Sequence, residues 1–251
     1  MSRFLITNGL VYKNTEGYEA VVVGREGYRV LLEFQDEYKA IVSVANGNVK
    51  NGHFCNPYHI SVAGFGFFGQ GDHIAKVNGK HTEEYEHWNS MLKRCYKSKK
   101  HMPTYADKSV DESWRNFQVF AGWAKAQKGF GLPGWHLDKD LLVKGNTQYS
   151  PKTCVYLPHE VNSFIKRKRM NSLPLGVDIA YNYDRSPYFR SQARENGKTV
   201  VLGRFSKAED AFFAYKKHKE ALARELALKG QGQVSDSAFH ALYNYTVEII
   251  D

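Results

Sequence analysis

Tyr188-Phe189-Arg190-Ser191-Gln192-Ala193-Arg194, then Glu195-Asn196-Gly197-Lys198, then Thr199-Val200-Val201-Leu202-Gly203-Arg204-Phe205 is the stretch that decides the fold of the C-terminal half. Its two flanks read as strands, and Asn-Gly between them is the pair that most readily supplies the positive φ angles of a tight hairpin. Upstream, Gly176-Val177-Asp178-Ile179-Ala180-Tyr181 reads as a further strand, joined through a turn at 182–186. After Phe205 the apolar period lengthens: Ala211, Phe212, Ala214, Tyr215 and Leu222 make one helical stripe, and Ser206 stands three residues before Glu209 in capping-box spacing. The expectation is a three-stranded antiparallel sheet packed on one helix. Along the middle strand Arg190, Gln192 and Arg194 fall on one face, while Phe189 and Ala193 face the helix. Arginine pairs with guanine and glutamine with adenine through paired hydrogen bonds, so that face is a candidate base reader. Arg185 and Arg204 join it or hold phosphate. A polar strand that merely faces solvent has a similar composition.

This segment resembles the Apetala-type (ethylene-response-factor) DNA-binding domain over about residues 175–227. The residues that carry the likeness are Gly176-Val177, the polar strand Arg190 to Arg194, Leu202-Gly203-Arg204-Phe205, and Glu209-Asp210-Ala211-Phe212-Phe213-Ala214-Tyr215. Phe212 and Phe213 depart from it, since the family often has small residues there. In that family the sheet enters the major groove, so the resemblance implies double-stranded DNA as the partner. Immediately upstream lies Lys166-Arg167-Lys168-Arg169, which reads as a hinge neutralising several phosphates or as a solvated linker.

Working further outward, Trp135-His136-Leu137-Asp138-Lys139-Asp140-Leu141 is followed by Gly145-Asn146, by Tyr149-Ser150-Pro151, and by Cys154-Val155-Tyr156-Leu157-Pro158-His159-Glu160-Val161-Asn162. A short strand, a loop, an apolar strand and a helix starting near Pro158 make the plan of a ββα site. The region from about Tyr85 to Asn162 resembles phage-type HNH homing endonucleases that carry Leu-Asp-Lys-Asp, Gly-Asn, Tyr-Ser-Pro and a closing Asn. The resemblance implies Asp138 and Asn162 as ligands of one divalent cation, Mg²⁺ or Mn²⁺, with Asn146 supporting the loop. Such a cation would polarise the scissile phosphate. Lys139 occupies the position of the family's general-base His. Three readings follow: Lys139 is the base or a charge stabiliser, His136 on the same strand face as Asp138 supplies the base, or the module is a DNA-binding scaffold without chemistry. His159 is read as a surface residue near the helix start, within reach of phosphate.

Toward the N-terminus, Tyr85, Trp88, Met91, Leu92 and Cys95 recur at helical spacing behind Thr82, a candidate N-cap with Glu83, Glu84 and Glu86 in the first turn. A second helix is expected over 112–127 with Trp114, Phe117, Phe120, Ala121 and Trp123 as its stripe, a core pattern rather than a base-stacking platform. Gly64, Gly66 and Gly69 match a dinucleotide-binding spacing, but no βαβ unit surrounds them, so the run reads as a tight linker with aromatic anchors. Residues 20–23, 28–34 and 39–44 read as short strands of a small SH3-like β-barrel, a fold that by itself names no function.

The whole is expected to be α+β and multidomain: a barrel at 1–70, the helical and ββα module at 80–165, the sheet-and-helix domain at 172–230, and a C-terminal extension at 231–251, in which a flexible junction from Lys229 onward leads to a short terminal helix. The 35 Lys+Arg against 26 Asp+Glu give a net charge of +9, which favours a polyanionic partner. The three cysteines are too far apart for a zinc knuckle and read as small buried hydrophobes. Neither a membrane span nor a secretory signal is evident, which with the resemblances implies the cytoplasm of a bacterial or phage-infected cell. Two functions are expected from these readings: a site-selecting, metal-dependent DNA endonuclease, or a DNA-binding regulator or interference protein that keeps the modules without the chemistry.

Overall fold

The computed structural model describes residues 6–97, 105–165, 173–195 and 197–250. The protein is mixed α/β with several separate sheets. It divides into two compact units, Met1–Lys125 and Ala126–Asp251, and the division falls within the span 80–165 that the sequence suggests is one module.

In the first unit, β1 (Val11–Lys13), β2 (Glu19–Glu26), β3 (Arg29–Phe34) and β4 (Ile41–Ala45) form an antiparallel meander in sequence order. The expected barrel is corrected here: the sheet stays open, ordered β1-β2-β3-β4, and none of the described sheets closes on itself. β1 is only three residues long. The inner side chains Ala20, Val22, Val30, Leu32 and Phe34 are instead covered by Val49 of α1 (Asn46–Lys50) and by Phe54. Buried Asn14 secures that cover by donating to the Phe54 carbonyl at 2.9 Å. Of the cysteines, Cys95 and Cys154 are buried as expected, whereas Cys55 is exposed.

Beyond the short hairpin β5 (Lys76–Val77) and β6 (Lys80–His81), α2 (Glu83–Leu92) runs into a π-helical turn at Lys93–Lys97 and buries Trp88, Met91, Leu92 and Cys95. Thr82 sits at its N-cap, but the hydroxyl donates to the Ile74 carbonyl and caps nothing. After β7 (Ser109–Val110), the second expected helix is broken into a 3-10 turn at Glu112–Arg115 and α3 (Phe117–Ala126), because Asn116 is extended. The glycines of the run at 64–71, ahead of β5, serve close packing against these elements. A Cβ on Gly66 would stand 2.6 Å from the Trp88 ring, and one on Gly69, at φ +70°, would strike the Asn116 side chain.

The second unit begins with β8 (Trp135–Asp138), β9 (Gln148–Tyr149), β10 (Val155–Pro158) and α4 (His159–Ile165), with β8 and β10 antiparallel. β11 (Val177–Tyr181), β12 (Pro187–Glu195) and β13 (Lys198–Phe205) follow as an antiparallel sheet in that order, then α5 (Ala208–Lys229) and α6 (Asp236–Tyr243). α5 starts after Lys207, and no side chain caps it, so Ser206 does not form the expected capping box.

At about 1.5 Å per residue, the 22 residues of α5 reach roughly 33 Å. That length lets one helix serve two cores. Its first turns place Ala211, Phe212 and Tyr215 against Val177, Phe189 and Phe205 of the sheet. Its last turns place Ala223, Leu226 and Ala227 against Val155, Leu157, Val161 and Ile165 of the ββα segment. The short terminal helix that the sequence suggests is α6, and the extension packs: Val234, Ala238 and Leu242 complete the second of these cores, and Val247 completes the first. Lys216 donates to the Val247 carbonyl at 2.5 Å, and Glu220 accepts from the Val247 amide at 3.1 Å.

Candidate nucleic-acid interface and the neighbouring ββα loop

Strand pairing lines up Asp178, Arg190 and Arg204 directly across β11, β12 and β13. Along β12 the helix-side residues Ser191 and Ala193 are buried, while Tyr188, Arg190 and Gln192 are half-buried and Arg194 is exposed on the opposite face. The central strand therefore alternates as its sequence suggests, and Arg190, Gln192 and Arg194 all lie outside the core.

Asp178 organises this face. Its carboxylate accepts from Arg190 Nε at 3.0 Å and Nη2 at 2.5 Å, and from Gln192 Nε2 at 3.2 Å. The sequence points to the arginine and the glutamine but not to the aspartate that holds both, although Asp178 alternates toward the same face. Arg204 lies over the Tyr188 ring at 4.9 Å. Arg185 stands apart in the 182–186 turn with φ +66°, a turn closed by Asp184, which accepts from the Ser186 amide and hydroxyl. Lys166, Arg167, Lys168 and Arg169 lie outside the described residues, as does Asn196 of the hairpin.

Gly176 shows why the two halves of the C-terminal motif occur together. It has φ +73°, and a Cβ there would lie 2.0 Å from the Tyr215 ring. Its carbonyl accepts from the Gln192 amide at 2.8 Å, so the glycine sets β11 against both helix and central strand.

In the ββα segment Asp138 is 5% exposed, and its Oδ2 accepts from the amides of Asp140 and Leu141, each at 2.8 Å. Burial holds its carboxyl above the ordinary aspartate range, against the opposing pull of those two amide bonds. Lys139 is equally buried; its Nζ pairs with Asp140 and donates to the Asn146 carbonyl at 3.0 Å. Asn146 returns the bond, donating to the Lys139 carbonyl at 2.8 Å and the Gln148 carbonyl at 2.6 Å, and its oxygen accepts from the Gln148 amide. Asp138, Lys139 and Asn146 thus shape the loop between β8 and β9. Burial also pushes the nearby Cys154 thiol up to about 12, which keeps it protonated.

Of the three readings left open for this loop, the one that makes Lys139 the base finds its ammonium tied to Asp140 and the Asn146 carbonyl. Asp138 has its Oδ2 committed to two backbone amides, which leaves Oδ1 as the oxygen that would meet a cation. Among the described residues no hydrogen bond joins it to Asn162, which is half-buried on α4, and no three His, Cys, Asp or Glu side chains converge. What the fold does bring together is His136 and His159, whose ring centroids lie 5.4 Å apart where β8 meets the start of α4; His159 Nε2 is 3.2 Å from the Ser163 hydroxyl. The sequence suggests each histidine alone and leaves their meeting unstated, because it depends on the β8–β10 register.

No protein-family model, curated protein or solved structure matches the chain. No helix among the described residues is long and apolar enough to cross a membrane.

Proposed function

We propose that the protein binds duplex DNA and reads bases with the outer face of β11–β13. The observation that carries this reading is the row Asp178, Arg190 and Arg204 across three strands, flanked by Gln192 and Arg194. An arginine and a glutamine already held by one carboxylate lose little side-chain freedom on meeting a base edge. The two bonds to Asp178 occupy Nε and Nη2 and leave the guanidinium's other donors for a guanine. The net charge of +9 adds the sequence-independent attraction that brings such a face to a polyanion, and the likeness to the Apetala-type domain points the same way. The test is anisotropy of a labelled random duplex: Arg194→Ala and Arg204→Ala should each weaken binding, while Lys50→Ala in the first unit should not.

A second reading, a divalent-metal-dependent endonuclease of the HNH kind, is favoured by the order β8, loop, β10, α4 and by the meeting of His136 and His159. In it His136 rather than Lys139 takes the proton from water. Duplex incubated with the protein and Mg²⁺ or Mn²⁺ separates the two. Cutting that His136→Ala abolishes would place this reading first, and retained but intact duplex would leave DNA binding as the function.

A further inference from the structure

Strict alternation from Arg204 would put Leu202 and Val200 on the outer face of β13, but the strand pairing puts Val201 there instead. Between Ser191 and Gln192 the β12–β13 register slips: Ser191 pairs with Gly203, whereas Gln192 pairs with Val201, so Leu202 is the extra residue of a bulge on β13. A bulge shifts the alternation of its strand by one. Val200 therefore pairs with buried Ala193 on the helix side, and Val201 stands beside Gln192 on the outer face, 55% exposed. Without the bulge, Val201 would have turned toward the helix. A half-exposed β-branched side chain, flanked by a glutamine and by Thr199 opposite Arg194, has no core to fill.

Resting on the proposal that this sheet enters the major groove, we infer that Val201 is a specificity residue that packs on the 5-methyl group of thymine, next to the adenine contacted by Gln192. The chemistry is complementary within one A·T step. Adenine offers N7 and its exocyclic amine to an amide side chain, and thymine offers the only methyl group in the unmodified major groove. Gln192 Nε2 carries two hydrogens, one of which Asp178 takes, so an acceptor and a donor remain for the adenine edge. Neither guanine nor unmethylated cytosine gives Val201 an apolar surface to cover. The pair Gln192–Val201 thus selects A·T where the neighbouring arginines select G·C.

The test removes only the methyl. Duplexes enriched by the full-length protein from a random pool are resynthesised with deoxyuridine for thymidine, and both sets are titrated against wild type and Val201→Ser, which leaves no methyl group on the side chain. Wild type should bind the uracil set about fourfold more weakly, the worth of one buried methyl. Val201→Ser should bind the two sets alike, with the arginine-dependent salt sensitivity intact. Equal affinity of wild type for both sets, or the same loss in Val201→Ser, overturns the inference while leaving sheet-mediated binding in place. A protein that enriches nothing and binds no duplex at low salt removes the reading beneath it and this inference with it.

Discussion

Two aspartates illustrate how differently one residue type acts in this chain. Asp178 sits on the outer face of β11–β13 and holds Arg190 and Gln192. Asp178→Ala should leave affinity for random duplex unchanged or stronger, since it removes a negative charge, yet cut the preference for selected over random duplex by about tenfold, the scale of one paired base contact. Competition titration reads both quantities; a parallel loss of both would mean that Asp178 only holds the sheet together. Asp138 is buried in the loop after β8, and its raised pKa means that the folded state holds that proton more tightly than the unfolded chain. Its contribution is therefore most favourable below the usual aspartate range and is lost as pH rises through the raised folded value. Asp138→Asn keeps an acceptor for the Asp140 and Leu141 amides without the charge, so its stability relative to wild type should grow as pH climbs from acid toward neutral. Asp138→Ala leaves both amides unmet and should cost about 1–3 kcal/mol. Urea denaturation across pH checks the pair, and a difference that stays flat with pH contradicts the assignment.

At the scale of elements, α5 explains why a sheet, a ββα segment and a terminal helix form one unit. Truncation after Lys229 removes Val234, Ala238, Leu242 and Val247 from two cores at once. With large apolar side chains worth about 1.5–3 kcal/mol each when fully buried, the truncated chain should lose at least about 4 kcal/mol. Thermal unfolding would show it, and an unchanged midpoint would mean that the extension is a passenger. A narrower contact tests the join of β11 to α5: Gly176→Ala should destabilise by about 2–4 kcal/mol, combining an unfavourable φ with overlap on Tyr215. In a double-mutant cycle Tyr215→Ala should relieve the overlap part of that loss. The three strands and the apolar stripe of α5 were legible because period is local. The open N-terminal sheet, the break at Asn116 and the docking of α6 were not, since each depends on what covers an element from far along the chain. The bulge that turns Val201 outward had one local sign, Gly203 beside the extra residue Leu202, but a lone glycine in a strand does not say which neighbour is left unpaired.

For the molecule as a whole, the sequence showed the cationic excess and the polar central strand but not their coupling. The place of Arg190 on the outer face was legible from its alternation, whereas its partner Asp178 lies twelve residues away and meets it only through the β11–β12 register. The candidate catalytic loop was legible as a pattern and differs in arrangement: Asp138 and Lys139 face inward to the loop, and His136 meets His159 instead. The most direct measurement is the salt dependence of duplex binding for wild type and for a variant combining Arg190→Ala, Arg194→Ala and Arg204→Ala. Wild type should bind with log K falling steeply as log salt rises, and the triple variant should bind more weakly, lose its preference for selected duplex and show a shallower slope, by about 0.9 for each phosphate contact removed. Indistinguishable affinity, selectivity and slope in the two proteins would contradict the account.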